Sequence, residues 1–423
     1  MQVTIYPSRL EGTMEAIASK SHMHRLLVSA SLARGETWIQ CKTTSDDIEA
    51  TRECLQQMGA DIRRTADGFH VIPRQGKDSV PVRVNCRESG STYRFLLPVA
   101  GVLGMQTEFM LAGRLPQRPM EALWTELEQK GMVVCGKGTP LVSVRGQLRG
   151  GVYTMPGNIS SQFISGLVMA LPLLEEDSEI IITGDIQSKG YIAVTLETVK
   201  GFGIQAHWEG DRMYIPGKQT YISPGTFRAE GDWSNGAFIL CGGALGGRVT
   251  CRGLQLSSPQ GDKAICEILG RFGAEVTQET DGVTATKNAM QGIDLDGGDI
   301  PDLIPAIAVV AAAAEGRTIL RNIGRLKWKE SDRLLAIGKT LQTVGGQVEI
   351  LEDSLVIEGN GTLHGGTIHS FGDHRIVMMG AIASLLCENS VIIRDAQAVQ
   401  KSYPRFFEDF QTLGANIQKE EET

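Results

Sequence analysis

The chain repeats one short pattern six times at nearly constant spacing. In each copy an amphipathic helix ends in a turn of small residues that carries a glycine, and a strand follows. The six turn glycines are Gly59, Gly131, Gly203, Gly273, Gly345 and Gly414. The intervals between them are 72, 72, 70, 72 and 69 residues. Because a glycine after a helix suits the left-handed backbone that ends it, this regular period predicts six copies of one structural unit.

Each copy shows the same order of predicted elements. An apolar helix such as SHMHRLLVSASLA comes first, and a strand such as TWIQC follows it. A polar loop, an amphipathic helix, the glycine turn and a hairpin complete the copy. The hairpin turns, such as Asp67-Gly68 and Asp281-Gly282, contain the residues that favour tight turns. The predicted unit is therefore roughly β-α-β-α-β-β.

The sixth copy is short, and the N-terminus offers a replacement strand. Only nine residues follow Gly414, while VTIYP at 3–7 has strand character and belongs to no copy. We expect this strand to complete the last copy. Three copies per domain then predict one domain of residues 20–228 and a second of 1–19 plus 229–423. The expected fold class is α/β (α+β), with two similar domains and an active site in the cleft between them.

Composition and motif spacing exclude several functions. The net charge is −8, so no basic excess indicates nucleic acid or an acidic membrane. The eight cysteines form no C-x-x-C pair and no H-E-x-x-H motif occurs, so neither disulfides nor a metal site are predicted. The longest apolar runs, 303–314 and 376–387, are shorter than the ~18 residues that span a membrane. The N-terminus lacks a signal-peptide pattern, and we expect a cytoplasmic protein.

Charged and polar residues concentrate where the predicted helices begin. A helix N-terminus attracts anions through its unpaired N–H groups and its dipole. Arginine and lysine placed there, in an acidic protein, predict binding of a small polyanion that carries phosphate. The equivalent positions before the second helix of each copy are Asp47, Arg118, Tyr191, Asp262, Arg333 and Lys401.

Several of the polar helix starts also have a purely structural explanation. Ser160-Ser161 and Asp302, taken alone, are typical of helix N-caps. The charges of KWKESDR at 327–333 are typical of a solvated helix start. Their equivalent placement in different copies favours convergence on one binding site.

The polar helix starts contain a set of motifs: Ser19-Lys20-Ser21 with Arg25, LPQRPM at 115–120, NISSQF at 158–163, KESDR at 329–333, Asp373-His374-Arg375 and Lys401. Together they resemble the signature set of the 5-enolpyruvylshikimate-3-phosphate synthase family, and the resemblance runs essentially end to end. It implies an inside-out α/β barrel in each domain, a monomer, and no metal or organic cofactor. It also implies transfer of the enolpyruvyl group of phosphoenolpyruvate to the 5-hydroxyl of shikimate 3-phosphate, with release of phosphate, on the pathway to chorismate and the aromatic amino acids.

The resemblance further implies a role for each matching residue. Phosphoenolpyruvate would be bound by Lys20, Gly90, Arg118, Gln162, Arg333, Arg375 and Lys401. Shikimate 3-phosphate would be bound by Ser21, Arg25, Ser160, Ser161, Gln162, Ser188, Tyr191, Asp302 and Lys329. The catalytic groups would be Asp302 as base for the hydroxyl, with Glu330 and Lys20 on the methylene and phosphate side. The expected tetrahedral intermediate is noncovalent, so no enzyme nucleophile is predicted.

The chain departs from the family pattern at two places, and two other functions remain open. The second-copy motif N-A-G-T-A-x-R-P reads ESGSTYRF at 88–95, and Arg325 stands where asparagine is common. A sister enolpyruvyl transferase, acting on UDP-N-acetylglucosamine, carries a reactive cysteine in the loop equivalent to 115–120, which has none here. A noncatalytic scaffold for phosphorylated partners would explain the cations but not Asp302 and Glu330 among them.

Overall fold

The computed structural model describes residues 1–74 and 81–420, and the chain divides into two compact units. Unit 1 is Met1–Ile17 with Glu230–Thr423, and unit 2 is Ala18–Ala229. The chain therefore passes between the units twice, after Ile17 and after Ala229. These crossings lie within two residues of the boundaries expected from the repeat.

The described residues form 24 strands, each three to six residues long. In chain order these strands are β1 (Gln2–Tyr6), β2 (Glu11–Glu15), β3 (Thr37–Gln40), β4 (Asp61–Thr65), β5 (Gly68–Ile72), β6 (Val82–Arg87), β7 (Thr107–Leu111), β8 (Met132–Cys135), β9 (Leu141–Gly146), β10 (Gly151–Pro156), β11 (Ser178–Thr183), β12 (His207–Glu209), β13 (Arg212–Ile215), β14 (Thr226–Arg228), β15 (Arg248–Arg252), β16 (Glu275–Glu279), β17 (Gly282–Thr286), β18 (Asp294–Asp296), β19 (Gly316–Arg321), β20 (Gln347–Ile350), β21 (Leu355–Gly359), β22 (Gly366–His369), β23 (Val391–Arg394) and β24 (Asn416–Glu420).

Twelve α-helices lie in the same described ranges, two in each repeat. In chain order the helices are α1 (Lys20–Leu32), α2 (Asp46–Gln57), α3 (Gly90–Val102), α4 (Glu121–Gln129), α5 (Ser161–Ala170), α6 (Lys189–Gly201), α7 (Trp233–Gly246), α8 (Ile265–Phe272), α9 (Ile304–Ala313), α10 (Arg333–Thr343), α11 (His374–Ala383) and α12 (Phe406–Thr412).

The strands of the described chain pair into six four-stranded sheets with one common order. In a continuous repeat the first strand runs parallel to the second, and the second runs antiparallel to the fourth. The third strand pairs antiparallel with the fourth at the far edge. Three sheets have this continuous form, with the orders β6-β7-β9-β8, β10-β11-β13-β12 and β18-β19-β21-β20.

The other three sheets are completed by strands from distant parts of the chain. Strand β1 lies between β23 and β24 and is antiparallel to both, in the position that the short sixth repeat leaves open. Strand β14 pairs with β3 in unit 2, and β2 pairs with β15 in unit 1. Both β2 and β14 directly precede a crossing between units. The pairing of β2 and β14 was not expected from the sequence. Strand β2 is largely exposed and β14 has only three residues, so neither shows strand alternation.

The turn glycines adopt the backbone that the repeat predicts, which confirms the interpretation of the six-fold pattern. Each ends the second helix of its repeat in the left-handed region that residues with a side chain rarely adopt. The φ angles are +104° at Gly59, +107° at Gly131, +82° at Gly203, +111° at Gly273, +92° at Gly345 and +111° at Gly414.

The first helices of the repeats form the core of each unit. Helix α9 is apolar around its whole circumference, and its residues are buried from Ile304 to Ala312. Such a helix must be enclosed by other elements, as the apolar run at 303–314 predicts. Helix α9 packs against α7 and α11 in unit 1, and α5 packs against α3 in unit 2. No helix in the described residues has the length and apolar character that a membrane span requires.

Candidate active site

Arg25 connects three helices at one end of unit 2. Its Nε donates to Thr195 Oγ1 at 2.7 Å, and its Nη2 donates to Ser165 Oγ at 3.2 Å and to the Tyr191 carbonyl at 3.0 Å. Its Nη1 donates to the Ser21 carbonyl one turn earlier, at 2.6 Å. Burial lowers the pKa of Arg25 to about 9, so the guanidinium is still cationic at neutral pH. The predicted residues Ser21, Arg25 and Tyr191 therefore lie together.

Lys20 is the first residue of α1 and is held within its own repeat. Its Nζ forms an ion pair with Asp47 Oδ2 at 2.8 Å, at the start of α2. Ser19 caps α1 by accepting a hydrogen bond from the His22 amide at 3.4 Å. The ammonium group therefore has a fixed place beside a helix N-terminus, where the dipole also favours anions.

Gly90 leaves space that arginine side chains use. A Cβ atom at Gly90 would lie 2.8 Å from Arg94 Nη1, 2.9 Å from Arg118 Nη1 and 3.6 Å from Gln162 Oε1. Arg94 Nη1 donates to Gln162 Oε1 at 2.7 Å, and Gln162 Nε2 donates to Ser91 Oγ at 2.8 Å. The predicted residues Gly90, Arg118 and Gln162 are thus neighbours, and Arg94 joins them although it was not among the predicted binding residues.

Ser160, Ser161 and Ser188 stand at helix N-termini. Ser160 caps α5 by accepting from the Gln162 amide at 3.3 Å, and Ser161 is the first residue of that helix. Ser188 precedes α6 with φ +58°, a left-handed conformation that is uncommon outside glycine. Its carbonyl accepts from the Tyr191 amide at 3.1 Å. These predicted residues present hydroxyls and amide N–H groups suited to a phosphate.

In unit 1, three carboxylates surround the Arg333 guanidinium. Nε donates to Asp373 Oδ2 at 2.9 Å, Nη1 to Asp302 Oδ1 at 2.8 Å, and Nη2 to Glu330 Oε2 at 2.7 Å. Arg333 is only 1% exposed. Burial disfavours its charge, but the three carboxylates raise the pKa of Arg333 above its ordinary value. The cation is therefore permanent.

Two further cations share Asp302. Lys329 Nζ lies 3.4 Å from Asp302 Oδ1, and Arg375 Nη2 lies 3.9 Å from Oδ2. Burial opposes ionisation of Asp302, but Lys329, Arg375 and Arg333 outweigh it and hold the pKa of this carboxyl well below its ordinary range. Burial also lowers the pKa of Lys329 to about 8, with Asp302 acting in the opposite direction.

The structural explanations hold for some of these residues and not for others. Asp332 caps α10 by accepting from the Leu335 amide at 3.1 Å. Asp302 does not cap α9, because Leu303 occupies the N-cap position. Lys401 is buried at the end of the short 3-10 helix Ala396–Lys401, in the same unit as Arg333. The KWKESDR segment is therefore a helix start that also buries an arginine.

Sequence reasoning missed the residues that orient the predicted ones. Asp373 accepts from Arg333, Ser331 and the Arg375 amide, yet it was identified only as part of a motif. Ser165 and Thr195 hold Arg25 from within apolar stretches of α5 and α6. A lone hydroxyl on the buried face of an apolar helix was the available signal. No group of three or more His, Cys, Asp or Glu side chains suited to a metal ion occurs in the described parts of the chain.

Comparison with known proteins identifies close relatives. The family model for EPSP synthase (3-phosphoshikimate 1-carboxyvinyltransferase) matches residues 5–410. The 3-phosphoshikimate 1-carboxyvinyltransferase of Clostridium perfringens (strain ATCC 13124) is 40% identical over 99% of this chain and 100% of its own length. The enzyme of the same name from Clostridioides difficile (strain 630) is 39% identical over 98% of this chain and 97% of its own length.

Solved structures show the same fold. An EPSP synthase from Acinetobacter baumannii aligns with a TM-score of 0.81 at 25% identity, over 99% of this chain and 100% of that chain. The enolpyruvyl transferase NikO from Streptomyces tendae aligns with a TM-score of 0.80 at 16% identity, over 99% of this chain and 98% of that chain. The fold expected from the repeat is therefore confirmed.

Proposed function

This chain belongs to the EPSP synthase family, and we propose on that basis that the polar clusters of unit 1 and unit 2 bind its two substrates. The enzyme transfers the enolpyruvyl group of phosphoenolpyruvate to shikimate 3-phosphate in the shikimate pathway. Both substrates are polyanions, because each carries a phosphate and a carboxylate. Guanidinium and ammonium groups at helix N-termini match that chemistry.

The observation that supports this assignment most directly is the set of bonds around Arg333. Asp302 and Glu330 accept hydrogen bonds from its Nη1 and Nη2, while Asp373 accepts from Nε. We propose that an anionic group of phosphoenolpyruvate replaces Asp302 and Glu330 on Nη1 and Nη2. Asp373 would keep the guanidinium plane fixed during this exchange, so the binding geometry is preorganised.

The same exchange prepares the acid–base groups. Asp302 is a weak base as long as three cations hold its pKa low. When substrate oxygens draw Arg333 and Arg375 away, Asp302 and Glu330 lose neutralising charge and become stronger bases. Asp302 then accepts the proton of the 5-hydroxyl as the hydroxyl oxygen bonds to phosphoenolpyruvate. Glu330 and Lys20 act on the other side, where the methylene carbon gains a proton and the phosphate is bound. In the elimination step the methyl group loses a proton to the groups on that side, the carbon–carbon double bond forms again, and the bond from carbon to the phosphate oxygen breaks.

Shikimate 3-phosphate is assigned to the serine-rich helix starts of unit 2. Ser160 and Ser161 lie at the N-terminus of α5, where amide N–H groups and the helix dipole favour phosphate. Arg25 is hydrogen-bonded to Ser165 of the same helix α5 and to the Tyr191 carbonyl of α6. Lys329 and Asp302 complete the predicted set from unit 1. A location of the substrates in a cleft between the units stays a prediction.

The activity is tested by phosphate release from phosphoenolpyruvate. The purified chain is assayed with shikimate 3-phosphate, with UDP-N-acetylglucosamine, and with no acceptor. We expect release only with shikimate 3-phosphate. Release with the sugar nucleotide would indicate the sister activity, and binding of both substrates without release would indicate a scaffold.

Two further properties stay predictions of this proposal. The chain is expected to be a monomer and to reside in the cytoplasm. Light scattering on the purified protein across a concentration range tests the first, since a monomer keeps one mass. Cell fractionation tests the second.

A further inference from the structure

The fourth repeat contributes none of the predicted binding residues, yet its Asp262 lies within the charge network of unit 1. Asp262 is 2% exposed and lies in the short 3-10 helix Gly261–Ala264, which directly precedes α8. The Ser234 hydroxyl, in the first turn of α7, donates to the Asp262 carboxylate. The Ser234 carbonyl accepts from Arg375 Nη1 at 2.9 Å. Ser234 thereby connects Asp262 to Arg375, a residue predicted to bind phosphoenolpyruvate.

The repeat gives this contact equivalents elsewhere. The start of the first helix meets the loop before the second helix in several copies, at a separation of 27 or 28 residues. The pair Lys20–Asp47 occurs in the first copy, Ser234–Asp262 in the fourth, and Asp302–Lys329 in the fifth with the charges reversed. The first and fifth copies use this contact to place predicted catalytic groups.

Two of the charged groups that act on Asp262, Asp302 and Arg375, are proposed active-site residues. Burial, together with the charges of Asp302 and Asp232, raises the pKa of Asp262 to about 6. The Ser234 hydroxyl and Arg375 act in the opposite direction. Asp262 and Asp302 thus influence one another as like charges in a buried cluster.

We infer that Asp262 is a positioning residue of this active site: through Ser234 it fixes Arg375, and its negative charge limits anion binding while keeping Asp302 a stronger proton acceptor. The inference rests on the proposed roles of Arg375 and Asp302. It predicts a compromise, because the charge that weakens substrate binding also supports proton removal. Loss of that charge should therefore move binding and turnover in opposite senses.

The direct test is Asp262→Asn, which keeps the shape and still accepts from Ser234. We expect the KM for phosphoenolpyruvate to fall and kcat to fall, each by about 3- to 10-fold for one charge removed at a distance of several ångströms. Asp409→Asn is the matched control, since Asp409 is also hydrogen-bonded to a hydroxyl, that of Tyr403. It should leave both constants unchanged. A raised KM with lowered kcat in Asp262→Asn, or no change, would overturn the inference.

Ser234→Ala provides a second test if Asp262→Asn does not fold. Without the hydroxyl donor, the pKa of Asp262 rises, so the carboxyl is protonated over a wider pH range. Relative to the unmodified chain, this variant should resemble Asp262→Asn near pH 6 and converge with the unmodified chain near pH 9. A constant ratio across that range would contradict the inference. If the unmodified chain shows no release dependent on shikimate 3-phosphate, the proposed function itself fails, which is a distinct outcome.

Discussion

Buried charge at single residues determines what this site can do. Lys329 and Asp302 are in contact, and both have lowered pKa values for different reasons. Burial lowers the pKa of Lys329, whereas the neighbouring cations lower the pKa of Asp302. The lysine is therefore close to losing its charge at mildly alkaline pH, while the aspartate keeps its own. Each consequence is accessible to substitution.

Lys329→Arg should remove an alkaline limit on activity. The ammonium of Lys329 is present below its pKa of about 8 and is lost above it, so kcat/KM for shikimate 3-phosphate should fall about tenfold per pH unit beyond that point. Arginine stays charged, so the variant should keep its own, lower, value to higher pH. Lys327→Arg, two residues away, is the control and should retain the alkaline fall in kcat/KM. If Lys329→Arg showed the same alkaline fall in kcat/KM, Lys329 would be excluded as its source.

Asp373→Asn should separate helix capping from ion pairing. Asparagine also caps helices, so α11 keeps its N-cap, but Arg333 loses one of its buried partners. Removing one partner of a buried pair costs about 3–5 kcal/mol, and the KM for phosphoenolpyruvate should rise. Asp332→Asn changes the cap of α10 in the same way without that pair, and it should be close to neutral in denaturant unfolding. Equal effects of the two substitutions would show that capping alone matters.

Residue types at the site were accessible from sequence, but their partners were not. Arg333 and Gly90 belong to recognisable motifs. The contacts of Arg25 with Thr195 and Ser165 join residues 170 and 140 positions apart. Such contacts depend on how three helices pack, and no local pattern encodes them.

At the scale of elements, a turn glycine ends the second helix of each repeat. It lets an amphipathic helix reverse into an edge strand. The interval between these glycines was sufficient to predict the six units and their order. Strands β2 and β14 escaped prediction because each completes a sheet in the unit that its own chain segment is about to leave.

Two of these glycines form a matched pair for testing that role. At Gly203 an added Cβ would meet only Ile222 at 4.0 Å, whereas at Gly273 it would lie 2.5 Å from the Ala289 carbonyl oxygen. Gly203→Ala should therefore cost only the left-handed backbone penalty of about 1–2 kcal/mol. Gly273→Ala should cost more, because backbone must move. Chemical denaturation of both variants measures the difference, and equal losses would contradict the steric argument.

Strand β1 should stabilise unit 1 from its central position in a sheet. Ile5 is completely buried and pairs across β1 with Val391 and Ile417. Ile5→Ala should lower the unfolding free energy by about 2–5 kcal/mol. Thr4→Ala, on the opposite face of the same strand, should have a much smaller effect. An Ile5→Ala variant with unchanged stability would mean that β1 contributes little to unit 1.

At the scale of the whole molecule, one repeat serves two purposes. Its core helices build two similar units, and their N-termini carry the polar groups. The chain is acidic, with a net charge of −8, yet Arg25, Arg333 and Arg375 are buried and Lys329 is partly buried at these helix starts. In unit 1, acids that neutralise the cations are also the proposed acid–base groups. Substrate binding and activation are therefore one event in this account.

The turnover of Glu330→Gln is the most direct test of the proposed chemistry around Arg333. The amide can still accept from Arg333, so phosphoenolpyruvate and shikimate 3-phosphate should bind within a few-fold of their usual affinities. Turnover should fall by about 10²- to 10⁴-fold, the usual contribution of an acid–base group. Glu352→Gln, an exposed residue between β20 and β21, should change neither. Undiminished turnover in Glu330→Gln would contradict the proposed chemistry of the Arg333 cluster.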